Sequence, residues 1–252
     1  LASSLSILGK NVGLIDADIY GPSIPLMFDV ENEKPLVTNI EGDSLIEPVV
    51  AYGVKLLSIG FFSKPSDAIV WRGPMASKAL NQMIHQANWG DLDYLIIDLP
   101  PGTGDIHLTL VQSLPLTGSI IVTTPQPISL IDAKKAVAMF KMKNINVPII
   151  GMVENMSWFS PEDNPKKKYY IFGKGGGENL SKDLGIPLLS NFPLLESVRE
   201  SSDVGRPAAL QNNENSEMFK EFAEQVIEKT NDRNINLSET KRVKITHTKG
   251  CS

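Results

Sequence analysis

Apolar residues fall in short blocks separated by turn residues, and the period of the blocks changes along the chain. In LASSLSILGK, Leu1, Leu5 and Leu8 recur at helical spacing and Gly9 closes the run, which predicts the second half of an amphipathic helix. Residues 11–16 read as a strand, an apolar block from Val12 to Ile15 ending in Asp16. Residues 37–59 alternate in short runs broken at Gly42-Asp43 and Tyr52-Gly53, which predicts one or two hairpins. A helix follows from Arg72-Gly73-Pro74 to Gln86, ended by Trp89-Gly90. Then come a strand over 94–98, a helix over 106–113 and a strand over 119–124. Ser129 with Asp132 resembles a capping box opening a helix to Lys143. A strand over 147–154, a charged and proline-containing insertion over 160–168, a helix over 177–184, a short strand over 187–192 and a final helix over 216–229 complete the pattern.

Strands alternating with helices predict βαβ units, hence an α/β fold with a mainly parallel sheet flanked by helices. At 252 residues one such domain has room for an ample core. The expected layout is a single domain over 1–230 and a polar, aperiodic, mobile tail over 231–252.

Parallel strands buried on both faces read as near-continuous apolar runs, and ligands collect beyond their carboxyl ends. Two runs end in acid followed by a glycine-containing turn: VGLIDADIYGPS, from Val12 to Ser23, and DYLIIDLPPGTGD, from Asp93 to Asp105. Asp16, Asp18 and Asp98 should therefore gather at one sheet edge. If extension continued past Asp16, both it and Asp18 would point to the same face. Two crowded carboxylates repel, so they call for a cation or separate hydrogen-bond partners, and nucleotide-bound magnesium would supply the cation. Acidic residues capping the next turn would leave the same pattern. Gly102 and Gly104 would let backbone approach a phosphate without a Cβ in the way.

These two runs resemble the switch I and Walker B/switch II segments of the Mrp/ApbC branch of P-loop ATPases, iron–sulfur cluster carriers related to the Min/Par ATPases. The resemblance runs from Leu1 to about Gln211 and includes Ile69-Val70-Trp71-Arg72-Gly73-Pro74-Met75, the TTPQ run from Thr123 to Gln126 followed by Asp132, GMVENMS from Gly151 to Ser157, and PLLESVRESSDVGRP from Pro193 to Pro207. It implies a P-loop NTPase fold of the Min/Par type. Asp16 and Asp98 would hold Mg2+ through waters, and Asp18 would orient or activate the attacking water. Gly102 would lie near the γ-phosphate, Asn155 at the adenine ring and the segment from Pro193 against the base. ATP and Mg2+ are the implied cofactors, a homodimer the implied state, and apo iron–sulfur proteins or assembly scaffolds the implied partners. In such a fold a strand and a Walker A loop should precede the first helix, so the sequence is expected to be an N-terminally truncated fragment without activity of its own.

Two departures from the family pattern stand out. Phe172-Gly173-Lys174-Gly175-Gly176-Gly177 lacks the order G-x-x-x-x-G-K-[ST], and reads as a flexible turn leading into a helix. Cluster carriers of this group usually have a C-x-x-C shortly after the ENMS motif, whereas residues 158–165 contain no cysteine. Clusters prefer thiolates, and Cys251 in the polar tail is the only thiol that could ligate a 4Fe-4S cluster at a dimer interface.

Composition narrows the remaining classes. One cysteine excludes an internal disulfide framework, and no apolar run reaches the ~18–20 residues of a membrane span. A net charge of −5 argues against broad electrostatic binding to nucleic acid, and the cytoplasm is the default location. His85, His107 and His247 show no metal-ligand spacing. Lys166–Lys168 reads as a solvated loop, and Met139 and Met142 as core filler. No strand leads into G-x-G-x-x-G, which disfavours a dehydrogenase. The leading expectation is a slowly hydrolysing ATPase of iron–sulfur cluster assembly or delivery. The alternatives are a Min/Par-like nucleotide switch, or a non-hydrolysing nucleotide-binding adaptor without cluster cargo.

Overall fold

The computed structural model describes residues 1–40, 42–62, 73–161, 163–211 and 213–243. The first sheet is built on β1 (Val12–Asp16), which pairs in parallel with β5 (Val54–Ser58) on one side and with β6 (Tyr94–Asp98) on the other. Before β5 the chain makes two hairpins where the turn residues place them. β2 (Leu36–Ile40) pairs with β3 (Asp43–Glu47) across Gly42, and β4 (Val49–Ala51) pairs with β5 across Tyr52-Gly53. Tyr52 and Gly53 both take positive φ, 49° and 76°, as a tight two-residue hairpin turn requires. The resulting strand order is β4-β5-β1-β6.

A second sheet has the order β7-β8-β9, all parallel, from β7 (Ser119–Thr123), β8 (Ile149–Glu154) and β9 (Leu188–Asn191). Among the described residues β6 ends one sheet and β7 the other, each with one edge unpaired. β1 is buried along its whole length, as a doubly covered parallel strand should be, whereas the equally apolar β6 is only half-buried up to an exposed Asp98.

Both faces of the first sheet are covered. Val12, Leu14, Val54 and Leu56 share a core with α1 (Ala2–Ile7) and with Ala223 of α8 (Glu214–Asn236). Ile15 and Leu57, one position along on the opposite face, pack against Leu80, Met83 and Ile84 of α3 (Gly73–His85) and against Ile106 and Leu110 of α4 (Asp105–Ser113). The second sheet buries Ile121 and Met152 with Val137 and Phe140 of α5 (Pro127–Lys141) and Leu180 of α6 (Gly176–Leu184). Phe222 and Val226 of α8 close its other side, and Leu1 touches the clusters of both sheets.

Several local expectations shift. α5 begins at Pro127 without a side-chain cap, so Ser129 does not open a capping box. Its hydroxyl instead pairs with Thr123 Oγ1 and accepts from the Thr124 amide. α2 (Ile24–Met27) and α7 (Glu196–Asp203) are helices that periodicity did not mark. Met139 is core, but Met142 is 54% exposed. The last helix continues past Lys229 to Asn236, and Val243 beyond it is buried and donates its amide to Val111 O. The chain over 231–243 is therefore structured, and residues 244–252 lie outside the described residues. A true capping box starts α8: Asn213 Oδ1 accepts from Ser216 N while Ser216 Oγ meets Asn213 N. Asn213→Ala should cost about 1 kcal/mol, seen as a fall of about 2–4 °C in the thermal midpoint.

Candidate nucleotide site at the strand ends

The chain register sets Ser58, Asp16 and Asp98 side by side at the carboxyl ends of β5, β1 and β6. Asp16 is fully buried. Its Oδ2 accepts from Ser58 Oγ at 2.8 Å and from Ile24 N at 3.3 Å, and its Oδ1 accepts from Asp18 N at 3.2 Å. Burial pushes the Asp16 carboxyl up to about 6, with the Asp98 charge adding to the rise and the Ser58, Asp18 and Ile24 hydrogen bonds opposing it. Asp98 is raised as well, by desolvation first and by the charge of Asp18 second. Among the described residues no lysine or arginine enters the charge environment of either group.

The strand does not continue through Asp18. Ala17 N still bonds to Asp98 O at 2.9 Å, and then the chain turns, with Asp18 Oδ1 accepting from Tyr20 N at 3.0 Å. Asp18 thus caps a turn and stays half-buried beside the other two acids. The turn-capping reading of Asp18 holds, and the capping bond uses one carboxylate oxygen. Gly102 takes φ +92° and has open space where a Cβ would stand, and Gly104 is the N-cap of α4 with no side-chain cap, Asp105 following it in the first turn.

The donor set fits a hydrated magnesium. A carboxylate has about four lone-pair sites, and three of those on Asp16 are taken by protein donors. Asp98 is exposed at its rim. Among the described residues no three His, Cys, Asp or Glu side chains converge as direct metal ligands, and magnesium characteristically keeps several waters between itself and such groups.

Asn155 and Pro193 stand together on the second sheet, just past the carboxyl ends of β8 and β9, where Glu154 and Asn191 are in register. Asn155 N bonds to Thr123 O at 2.7 Å, and its side chain accepts from Met156 N at 3.0 Å. No hydrogen bond joins Asn155 or Pro193 to the aspartate row among the described residues. The glycine run is structural: Gly175 caps α6 in a left-handed conformation, Gly176 lies against Pro125 O, and Gly177 N donates to the buried Glu154 carboxylate. At the position of the missing C-x-x-C, Phe159 bridges to Tyr169, and Lys168 Nζ lies 3.6 Å over the Trp158 ring. Cys251, Trp71 and Arg72 lie outside the described residues. His107 is buried with Nδ1 unpartnered and its pKa lowered by burial.

Two participants escaped sequence reasoning. Ser58 ends an apolar run just as the aspartates do, and that parallel was its only signal. Glu154 was visible merely as part of a motif.

Residues 1–228 match the family model described as ParA, NUBPL iron-transfer P-loop NTPase. The chain belongs to this family. Relatives named iron–sulfur cluster carrier protein include those of Synechocystis sp. (46% identical, 86% of this chain and 61% of that one), Escherichia coli K12 (46%, 90% and 60%) and Methanocaldococcus jannaschii (47%, 91% and 78%). The chain therefore spans about three fifths of the length of the first two. Among solved structures, a nucleotide-binding protein of Archaeoglobus fulgidus in complex with ADP is similar at 33% identity, with a TM-score of 0.68 over 81% of this chain and 78% of that one. The cell division ATPase MinD of Pyrococcus furiosus shares the fold at 20% identity, with a TM-score of 0.63 over 90% of each chain. The NUBPL-type chain is thus an α/β protein of the P-loop NTPase class, as expected. No helix among its described residues is long and apolar enough to cross a membrane.

The raised Asp16 pKa gives a signed prediction. Between about pH 4 and about 6 the native state holds a proton that the unfolded state has lost, so this group's contribution to stability falls as pH rises through that window. The stability of Asp16→Asn relative to the parent should therefore increase across the window, by about 3 kcal/mol at most, in urea unfolding measured at each pH. Ser58→Ala should destabilise by about 1 kcal/mol at neutral pH, with less effect at pH 4.

Proposed function

We propose that this protein is a nucleotide-dependent carrier of iron–sulfur clusters that binds MgATP and hydrolyses it slowly. The supporting observation is that Asp16 and Asp98 stand side by side at adjacent strand ends next to Ser58, both carboxyls raised by desolvation and with no lysine or arginine among the described residues acting on them. Asp16 and Asp98 hold the hydrated magnesium, and Asp18, freed from the strand, orients the attacking water. Bound magnesium supplies charge neutralisation to the phosphates; positioning accounts for most of the remaining catalysis. Gly102 and the uncapped start of α4 offer backbone to the γ-phosphate side. Asn155 and Pro193 take the base.

No G-x-x-x-x-G-K-[ST] occurs in the chain. The unpaired edges of β6 and β7, and the half-buried apolar face of β6, suit one further parallel strand between the sheets. Its following loop would emerge beside Asp98. Function as a homodimer delivering clusters to apoproteins in the cytoplasm rests on the family relationship. The absence of C-x-x-C favours a second reading, a Min/Par-like nucleotide switch or nucleotide-binding adaptor without cluster cargo.

With a relative's phosphate-binding strand and loop joined ahead of Leu1, MgATP turnover should appear, and Asp18→Ala should lower it about 100-fold or more while nucleotide affinity stays within a few fold. Normal turnover in Asp18→Ala would remove that residue from the mechanism. Iron and acid-labile sulfide after anaerobic reconstitution, compared with Cys251→Ala, separate the two readings: cluster lost in the variant makes the tail thiol a ligand, and no cluster in either protein with turnover intact leaves the switch.

A further inference from the structure

A cavity of about 500 Å³ opens at the amino end of β8, the end away from Asn155. One wall is the turn from α5 into β8, and the other is the end of α8 with the strap over 237–243. Lys143, Arg233, Lys241 and Arg242 line it, against a single carboxylate, Glu239. Such a concentration of positive charge stands out in a chain of net charge −5. Among the described residues none of the four cations forms a salt bridge, with Glu239 or any other acid.

Both walls are anchored. Ile145 and Val147 are buried in the core of the second sheet, and the amides of Ile145 and Asn146 donate to Met142 O. Asn146 takes a left-handed φ of 48°. This turn leaves Lys143, Asn144 and Asn146 exposed on the cavity side. Opposite, Val243 is buried in the same core and tied to Val111 O at 2.9 Å. The Arg233 guanidinium organises the strap, since Nη2 donates to Ser238 O and to Thr240 Oγ1, each at 2.8 Å. Its Nε is closed off from water and donates to nothing. Nη1 donates to Asn234 Oδ1 at 3.1 Å, so the guanidinium is held by neutral oxygens and no carboxylate balances its charge among the described residues.

We infer that this cavity is a second binding site, for a small oxyanion-rich molecule carrying phosphate or several carboxylates. The volume lies within the range of small-molecule sites. The lysines supply point charges, Arg242 a planar fork, and the Asn144 and Asn146 carboxamides orienting donors. This site is independent of the nucleotide reading.

The test is calorimetric titration of the chain, magnesium-free and at low ionic strength, with inorganic pyrophosphate, with citrate and with a short polyglutamate. One of the two small anions should bind saturably at one site per chain, and which one binds assigns phosphate or carboxylate. Affinity should fall about tenfold or more in Lys241→Glu/Arg242→Glu, and also in Lys143→Glu on the facing wall, with unchanged circular dichroism. Asp98→Asn should leave it unaltered. Absence of saturable binding by either small anion, equal affinity in the folded cavity variants, or binding of polyglutamate alone would overturn the proposal. The last result would make the cavity a docking point for an acidic protein segment. Should the double variant fail to fold, the Lys143→Glu titration decides.

Discussion

The Asp16 carboxylate lies buried where three parallel strands and a loop meet. Its register partners are Ser58 and Asp98, and the hydroxyl of the first donates to it. Its other oxygen and a second bond tie down the amides of Asp18 and Ile24, which shapes the loop between β1 and α2. A buried charge of this kind is tolerated only when its hydrogen-bonding capacity is met. Three donors meet most of it here, yet desolvation outweighs them and the neighbouring Asp98 charge adds to it, so the pKa rises. Local geometry, strand pairing and candidate chemistry thus share one cause.

Much of this was legible from residue order. Both-face burial of β1 follows from a run without polar interruption, and the hairpin at Tyr52-Gly53 from a residue pair suited to positive φ. The bounds of β6 and the gathering of Asp16 with Asp98 follow from two acid-ended runs that a parallel register sets level. What was not legible depends on tertiary contact. α2 is four residues long and α7 is richly charged, with Arg199 bonded along its surface to Glu196, Glu200 and Asp203; neither presents an apolar stripe to read. Ser58 looks like any strand-end serine until the register sets it beside Asp16. Residues 231–243 look polar and aperiodic because a single valine, Val243, does the anchoring, and one apolar residue makes no period.

The glycine run over 173–177 shows how a motif can mislead and still matter. Its spacing invites a phosphate-loop reading, yet the folded chain uses those glycines for close packing: a Cβ on Gly176 would meet Pro125 O, and one on Gly177 would meet Glu154. Glu154 fills the start of α6 with its own carboxylate, so that helix end carries an internal anion in place of an external one. Gly102 and Gly104, beyond the end of β6, have nothing within 4 Å of where a Cβ would stand, which sets them apart from these packed glycines.

Ile24, whose amide bonds to Asp16, is the first residue of α2, and α2 packs against α7. Asp29, just past α2, sits so close to Gly205, just past α7, that no side chain fits between them, and Tyr52 holds Gly205 O from the hairpin at 3.1 Å. The two short helices therefore form one continuous line of contacts from the buried carboxylate of Asp16 to the helix that follows Pro193.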